Sequence, residues 1–216
     1  SDLWDAVVKV STSHYVFPAL YCNFKRADFL KYLPQELVSY MEYITGINRE
    51  RNTQIIQQAQ ELNSLLLANN ITPIFLKGTG NLLSGIYDDI AERMVGDIDF
   101  IFSKEEYSKA ITVLKEFGYY RKTPSLPVFI HYSRLIKKGS IAAIEIHKEL
   151  LIDKYANEFN YSFVEKNSQV IKGVTVLSYA NKLNLSIIAN QISIKGLETG
   201  LYFMEVNGQV KRLIKK

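Results

Sequence analysis

The sequence predicts an α+β fold in which a helical N-terminal segment precedes a core of short strands and helices. Three observations lead there. The hydrophobic period changes near residue 70, from a helical spacing to short apolar runs and alternation. An apolar run at Ile74-Phe75-Leu76 closes on a glycine-containing turn. A segment with helix start and stop signals, Ser103 to Gly118, follows directly on an alternating strand pattern.

In chain order, residues 1–70 read as helical. Ile55, Ala59, Leu62 and Leu66 fall four, three and four apart, which places them on one helical face as core. Asn69-Asn70 stops that helix. Ile74-Phe75-Leu76 reads as a buried strand entering a tight turn at Lys77-Gly78-Thr79-Gly80, with a short helix through Leu82, Leu83 and Ile86 behind it. Alternation from Asp97 to Phe102 puts Asp97, Asp99 and Ile101 on one face and Ile98, Phe100 and Phe102 on the other. Ser103 and Glu106 form a capping box, and Tyr107, Ala110, Ile111, Leu114 and Phe117 keep helical spacing up to Gly118. Pro127–Ile136 and Ile141–His147 read as two strands joined around Lys138-Gly139; in the second, Ile144 and Ile146 point one way, Glu145 and His147 the other. A helix is expected from Ser178 to about Ile192, and Asn207-Gly208 has the form of a hairpin turn. The expected boundaries, near 70 and 150, divide the chain into a helical segment (1–70), a core (71–150) and a C-terminal segment (151–216).

The composition, 47% hydrophobic and 22% charged over 216 residues, suits a globular protein large enough to bury a core. The single cysteine, Cys22, excludes an intrachain disulfide, has no activating neighbour and reads as packing; a reducing, cytoplasmic setting is expected. No apolar run approaches the roughly 18 residues of a membrane span. The net charge of +4 is modest, and Lys211, Arg212, Lys215 and Lys216 concentrate in a tail, so nucleic acid is not the favoured partner.

The residues that carry chemistry are acids and glycines. Nucleotidyl transfer needs divalent metal on the phosphates and on the attacking hydroxyl, and hard cations need carboxylate oxygens. Asp97 and Asp99, at i and i+2 on a strand, leave one face about 7 Å apart, close enough to bridge two ions roughly 4 Å apart. Glu145 is the third acid, on a strand whose other face is apolar. Gly78, Thr79 and Gly80 lie before a helix, where backbone N–H groups can approach triphosphate oxygens. Lys77 and Arg93 are candidate phosphate partners, the alternative being ion pairs with Asp88, Asp89 or Glu92. His147 faces with Glu145 and is placed to orient a carboxylate; His14 and His131 are isolated and read as structural.

These residues together resemble the uncharacterised nucleotidyltransferases related to the polymerase-beta superfamily. The resemblance rests on Leu76-Lys77-Gly78, Tyr87, Arg93-Met94-Val95-Gly96-Asp97-Ile98-Asp99 and Ile144-Glu145-Ile146-His147, with Ser13-His14 and Gly118-Tyr119 outside them, and spans roughly residues 1–190. It implies a mixed sheet with helices on one side, helical flanks at both ends, and Asp97, Asp99 and Glu145 as ligands of magnesium, two ions being expected and manganese an alternative. It also implies a nucleoside triphosphate as substrate and an acceptor hydroxyl. The chain departs from the superfamily in its turn, Gly-Thr in place of Gly-Gly or Gly-Ser, with Thr79 lying 18 residues before Asp97. Family members are often longer at the C-terminus, so 151–216 is expected to be a shortened segment. The alternative function is a catalytically silent binding or regulatory protein with the same fold.

Overall fold

The computed structural model describes residues 2–121, 132, 134–150, 160–179, 200–206 and 209–215, the last two ranges as backbone. Two compact units emerge, residues 1–177 and 178–216.

The first unit opens with helices α1 (Asp2–Ser13), α2 (Phe17–Arg26) and α3 (Gln35–Ala68). Phe17, Tyr21, Cys22, Leu33 and Met41 form a small core of their own there. Helix α3 has 34 residues and a length of about 51 Å. Its buried stripe, Met41, Thr45, Asn48, Asn52, Ile55, Ala59, Leu62 and Leu66, alternates steps of four and three, the spacing that keeps one helical face inward. Met41 belongs to the helical core, whereas Ile55 to Leu66 belong to the core beneath the sheet. Between them the stripe is polar.

The sheet has seven strands in the order β3-β4-β5-β2-β1-β7-β6. They are β1 (Ile74–Phe75), β2 (Asp97–Ile101), β3 (Tyr120–Arg121), β4 (Leu135–Ile136), β5 (Ala143–His147), β6 (Ser168–Ile171) and β7 (Val174–Leu177). The sheet is mixed: β2 runs parallel to β5, and β1 parallel to β7, while β1 and β2 are antiparallel. Register brings Val176, Phe75, Phe100 and Ile146 into one row across four strands. All four are buried in the main core with Ala110, Val113 and Leu114 of helix α5 (Lys104–Glu116) and with the Ile55 to Leu66 stripe. Phe75 and Phe100 meet edge to face at 5.8 Å, an arrangement aromatic quadrupoles favour.

Polar side chains on α3 pin loops of the sheet. Asn48 and Asn52 donate to the carbonyls of Ile90, Ala91 and Arg93. Gln58 clasps both backbone groups of Ala142, just before β5. Asn63 donates to Gly173, in the β6–β7 turn. That turn is a two-residue hairpin in which Lys172 and Gly173 both have positive φ, the primed geometry that matches strand twist. The sequence carries only a weak signal for β6 and β7, because the turn is Lys-Gly and not one of the stronger Asn-Gly or Asp-Gly pairs.

Three expectations are corrected. Lys77-Gly78-Thr79-Gly80 is no loop: helix α4 (Lys77–Ser84) starts at Lys77 itself, and Ile86 falls outside it. Ser103 caps α5 by accepting from Glu106 N–H, but the Glu106 carboxylate accepts from Thr72 N–H instead of closing a box. The box with both halves is at Asp89 and Glu92. Strand β4 covers only Leu135–Ile136 of the expected Pro127–Ile136; residues 127–131 and 133, with His131, lie outside the described residues.

Helix α6 (Tyr161–Lys166), capped by Asn160, precedes β6. In the second unit, β8 (Gly200–Val206) and β9 (Gln209–Lys215) pair antiparallel with Val206 opposite Gln209, the register of the expected hairpin. Asn207-Gly208 and the helix expected beyond Tyr179 lie outside the described residues. No helix among the described residues is long and apolar enough to cross a membrane.

Two glycine substitutions test the packing. A Cβ on Gly80 would lie 2.6 Å from the Phe75 carbonyl oxygen, whereas one on Gly46, inside α3, meets nothing within 4 Å. Gly80→Ala is expected to destabilise by about 1–3 kcal/mol and Gly46→Ala to stabilise by up to about 1 kcal/mol, both read by urea denaturation.

Candidate active site

Strands β2 and β5 carry the polar constellation. Their parallel register pairs Asp97 with Ala143, Asp99 with Glu145 and Ile101 with His147. Side chains alternate along each strand, so Asp97, Asp99, Glu145 and His147 share the face opposite Ile98, Phe100, Ile144 and Ile146. Asp99 is 6% exposed and His147 3%. Ligand atoms of Asp99, Glu145 and His147 all lie within 4.8 Å of one another, a group that could hold a metal ion. Asp97 is outside that group, and its carboxylate pairs with Arg134.

Lys77 reaches into the group from the first residue of α4. Its Nζ lies 2.7 Å from Asp99 Oδ1 and 4.0 Å from Glu145 Oε2. Its backbone is left-handed, φ 47°, a conformation that costs a non-glycine residue about 1 kcal/mol or more. His147 Nε2 lies 2.9 Å from the same Asp99 oxygen. Burial pushes the Asp99 carboxyl up, but the hydrogen bond with His147 and the charge of Lys77 outweigh it and hold the group below the ordinary carboxylate value. Asp99 is therefore an anion at neutral pH despite its burial.

The glycine segment divides its labour. Gly80 packs against the Phe75 backbone, and its N–H bonds to Leu76 within the helix. Thr79 is fully buried, and its hydroxyl donates to the Asp97 carbonyl at 2.8 Å, tying α4 to the start of β2. At Gly78 a Cβ would lie 3.1 Å from Val95 and 3.6 Å from Arg93 Nε. Helix α4 has no side-chain cap, and in its first turn Lys77 is exposed while Gly78 and Thr79 are buried. Arg93 is exposed beside that turn. The acids that were its alternative partners are engaged elsewhere: Asp88 and Glu92 with Arg26, and Asp89 with Arg49 through two hydrogen bonds.

Several supporting residues escaped the sequence reading. Asn48 and Asn52 hold the carbonyl of Arg93, and Arg51 donates to the carbonyls of Gly96 and Ile141, at the starts of the two acid-bearing strands. Their signal was present, since Asn48 and Asn52 continue the stripe of Ile55 at helical spacing. Arg134 gave no such signal, because only the sheet register brings it near Asp97. Elsewhere, Cys22 is buried and its thiol is pushed up to about 11, mainly by burial, which suits packing and not nucleophilic chemistry. His14 is exposed just beyond α1.

The family model for "uncharacterised nucleotidyltransferase" matches residues 1–198 of this chain. Among solved structures, the chain is similar to a provisionally assigned nucleotidyltransferase from Thermotoga maritima, at 15% identity and a TM-score of 0.46, covering 63% of this chain and 84% of that one. No curated protein matches the chain.

The lowered Asp99 carboxyl sets an acid dependence. Its contribution to stability is complete above the unfolded-chain value of about 3.9 and is lost as pH falls through the lower folded value. Asp99→Asn removes this term. In chelator-containing buffer, the wild type is expected to lose more urea stability than the variant between pH 6 and pH 3; equal losses would contradict the assignment.

Proposed function

The chain belongs to the uncharacterised nucleotidyltransferase family, and from that premise we propose a metal-dependent enzyme that moves a nucleoside monophosphate from a nucleoside triphosphate to an acceptor hydroxyl. The observation that carries this reading is the in-register pairing of Asp99 with Glu145 on the polar sheet face, with Asp97 on that same face.

The donor set fits a divalent ion. Carboxylate oxygens suit magnesium or manganese, and an imidazole nitrogen within reach favours manganese over magnesium as a direct ligand. In the proposed roles, Asp97, Asp99 and Glu145 hold two ions, and His147 orients Asp99 from behind. Bound divalent ions would neutralise triphosphate charge and lower the pKa of the acceptor hydroxyl. The chain's own groups do the rest. Arg93 and the N–H groups at the very start of α4, at Lys77 and Gly78, receive phosphate oxygens, while Thr79, fully buried, holds α4 against β2. Gly80 serves the site by letting α4 sit close on β1, and Glu145 takes the acceptor's proton. The acceptor is left as a hydroxyl compound, with nucleic acid not favoured, and a cytoplasmic setting goes with the single cysteine.

Calorimetry with the four nucleoside triphosphates and magnesium tests the reading. Wild-type protein is expected to bind at least one of them only when magnesium is present. An Asp97→Ala, Asp99→Ala double variant is expected to lose at least tenfold in affinity, about 1.4 kcal/mol. A folded wild type that binds none would overturn the enzyme reading in favour of the silent one.

A further inference from the structure

Three carboxylates on one sheet face repel one another unless opposite charge stands between them. Here each has a basic group at hand: Lys77 for Asp99 and Glu145, and Arg134 for Asp97. Neither cation comes from β2 or β5. Lys77 starts the helix whose uncapped end lies beside Arg93. Arg134 immediately precedes β4, where the pairing of Leu135 with Ile144 brings it level with Glu145. It reaches over β5 to Asp97, and the residue paired with Asp97 there is the small Ala143.

The two cations differ from the other basic partner in the cluster. The side chains of Lys77 and Arg134 are 40% and 56% exposed, against 4% for His147. His147 is fixed by packing, while the other two are long side chains free to change partner. Each also uses an oxygen of a carboxylate proposed to hold metal, Asp99 Oδ1 or Asp97 Oδ1. A cation cannot share that oxygen with a divalent ion at close range without strong like-charge repulsion.

Building on the proposed function, we infer that Lys77 and Arg134 are exchange cations, which compete with metal for the carboxylates and move to phosphate oxygens when a nucleoside triphosphate binds. Metal alone then binds weakly, because both cations must leave Asp99 and Asp97 with no new partner. The triphosphate gives them one. Metal and nucleotide therefore strengthen each other's binding by the same factor, and the protein discriminates against metal without nucleotide.

The test is calorimetric titration of wild type, Lys77→Met and Arg134→Met with manganese alone, and with a non-hydrolysable triphosphate in the presence and absence of manganese. Each variant is expected to bind manganese alone about tenfold more tightly than wild type and the triphosphate about tenfold less tightly, with the mutual strengthening reduced. Manganese is also expected to raise the melting temperature of each variant by more than that of wild type, a readout that survives if removing a cation weakens the fold. Lys77→Gln and Arg134→Gln should give the same signs. Wild type that binds manganese and nucleotide, with variants binding manganese no more tightly, overturns the exchange alone. Wild type that binds neither overturns the proposed function and the exchange with it.

Discussion

Side chains on a strand alternate between the two faces of its sheet, so the pairing of Asp99 with Glu145 settles the position of every other residue on β2 and β5. In this register Ile98, Phe100, Ile144 and Ile146 enter the core, and four polar side chains collect on the other face. A slip of one residue on either strand would turn its acids into the core and its apolar residues out. Burying an unpaired carboxylate costs several kcal/mol, so hydrophobic burial on one face enforces the polar cluster on the other. The site is in this sense a by-product of core packing.

Helix α3 supplies the second constraint. A register fixes neighbours along two strands but does not fix where the strands begin. Side chains from a single long helix do so: Asn48 and Asn52 hold the residues leading to Asp97, Arg51 bridges Gly96 and Ile141, and Gln58 clasps Ala142. These amides are buried, and each would be costly without its carbonyl or N–H partner. The helix therefore penalises any shift of one acid-bearing strand against the other. Thr79 adds a tie from α4 to the Asp97 carbonyl, and Lys77 extends it by reaching back to Asp99 from a left-handed backbone.

What could be read from the sequence follows the reach of each interaction. The Ile55 to Leu66 stripe, the alternation in Asp97–Phe102 and Ile144–His147, and the Ser103 cap are local patterns, and local patterns are visible in one dimension. The helical state of Lys77 to Gly80 was not, because glycine favours turns and only the close approach to Phe75 requires it here. Glu106 looked like half of a capping box, yet it bonds to Thr72, 34 residues away. Strands β6 and β7 are short, and they join the sheet through the pairing of β7 with β1, whose register partners Ile74 and Thr175 lie more than a hundred residues apart. The partners of the acids were hidden for the same reason. Lys77 and Arg134 meet their carboxylates across 22 and 37 residues, through a fold that no spacing rule encodes.

In the proposed site Asp99 and Glu145 bind a divalent ion between neighbouring strands. Anomalous diffraction from a crystal soaked in manganese and a non-hydrolysable triphosphate tests this most directly. A peak is expected with carboxylate oxygens of Asp99 and Glu145 both at about 2.1 Å, and the ammonium of Lys77 displaced from Asp99 onto phosphate. A well-ordered triphosphate with no manganese between these two residues, and Lys77 still on Asp99, would contradict it.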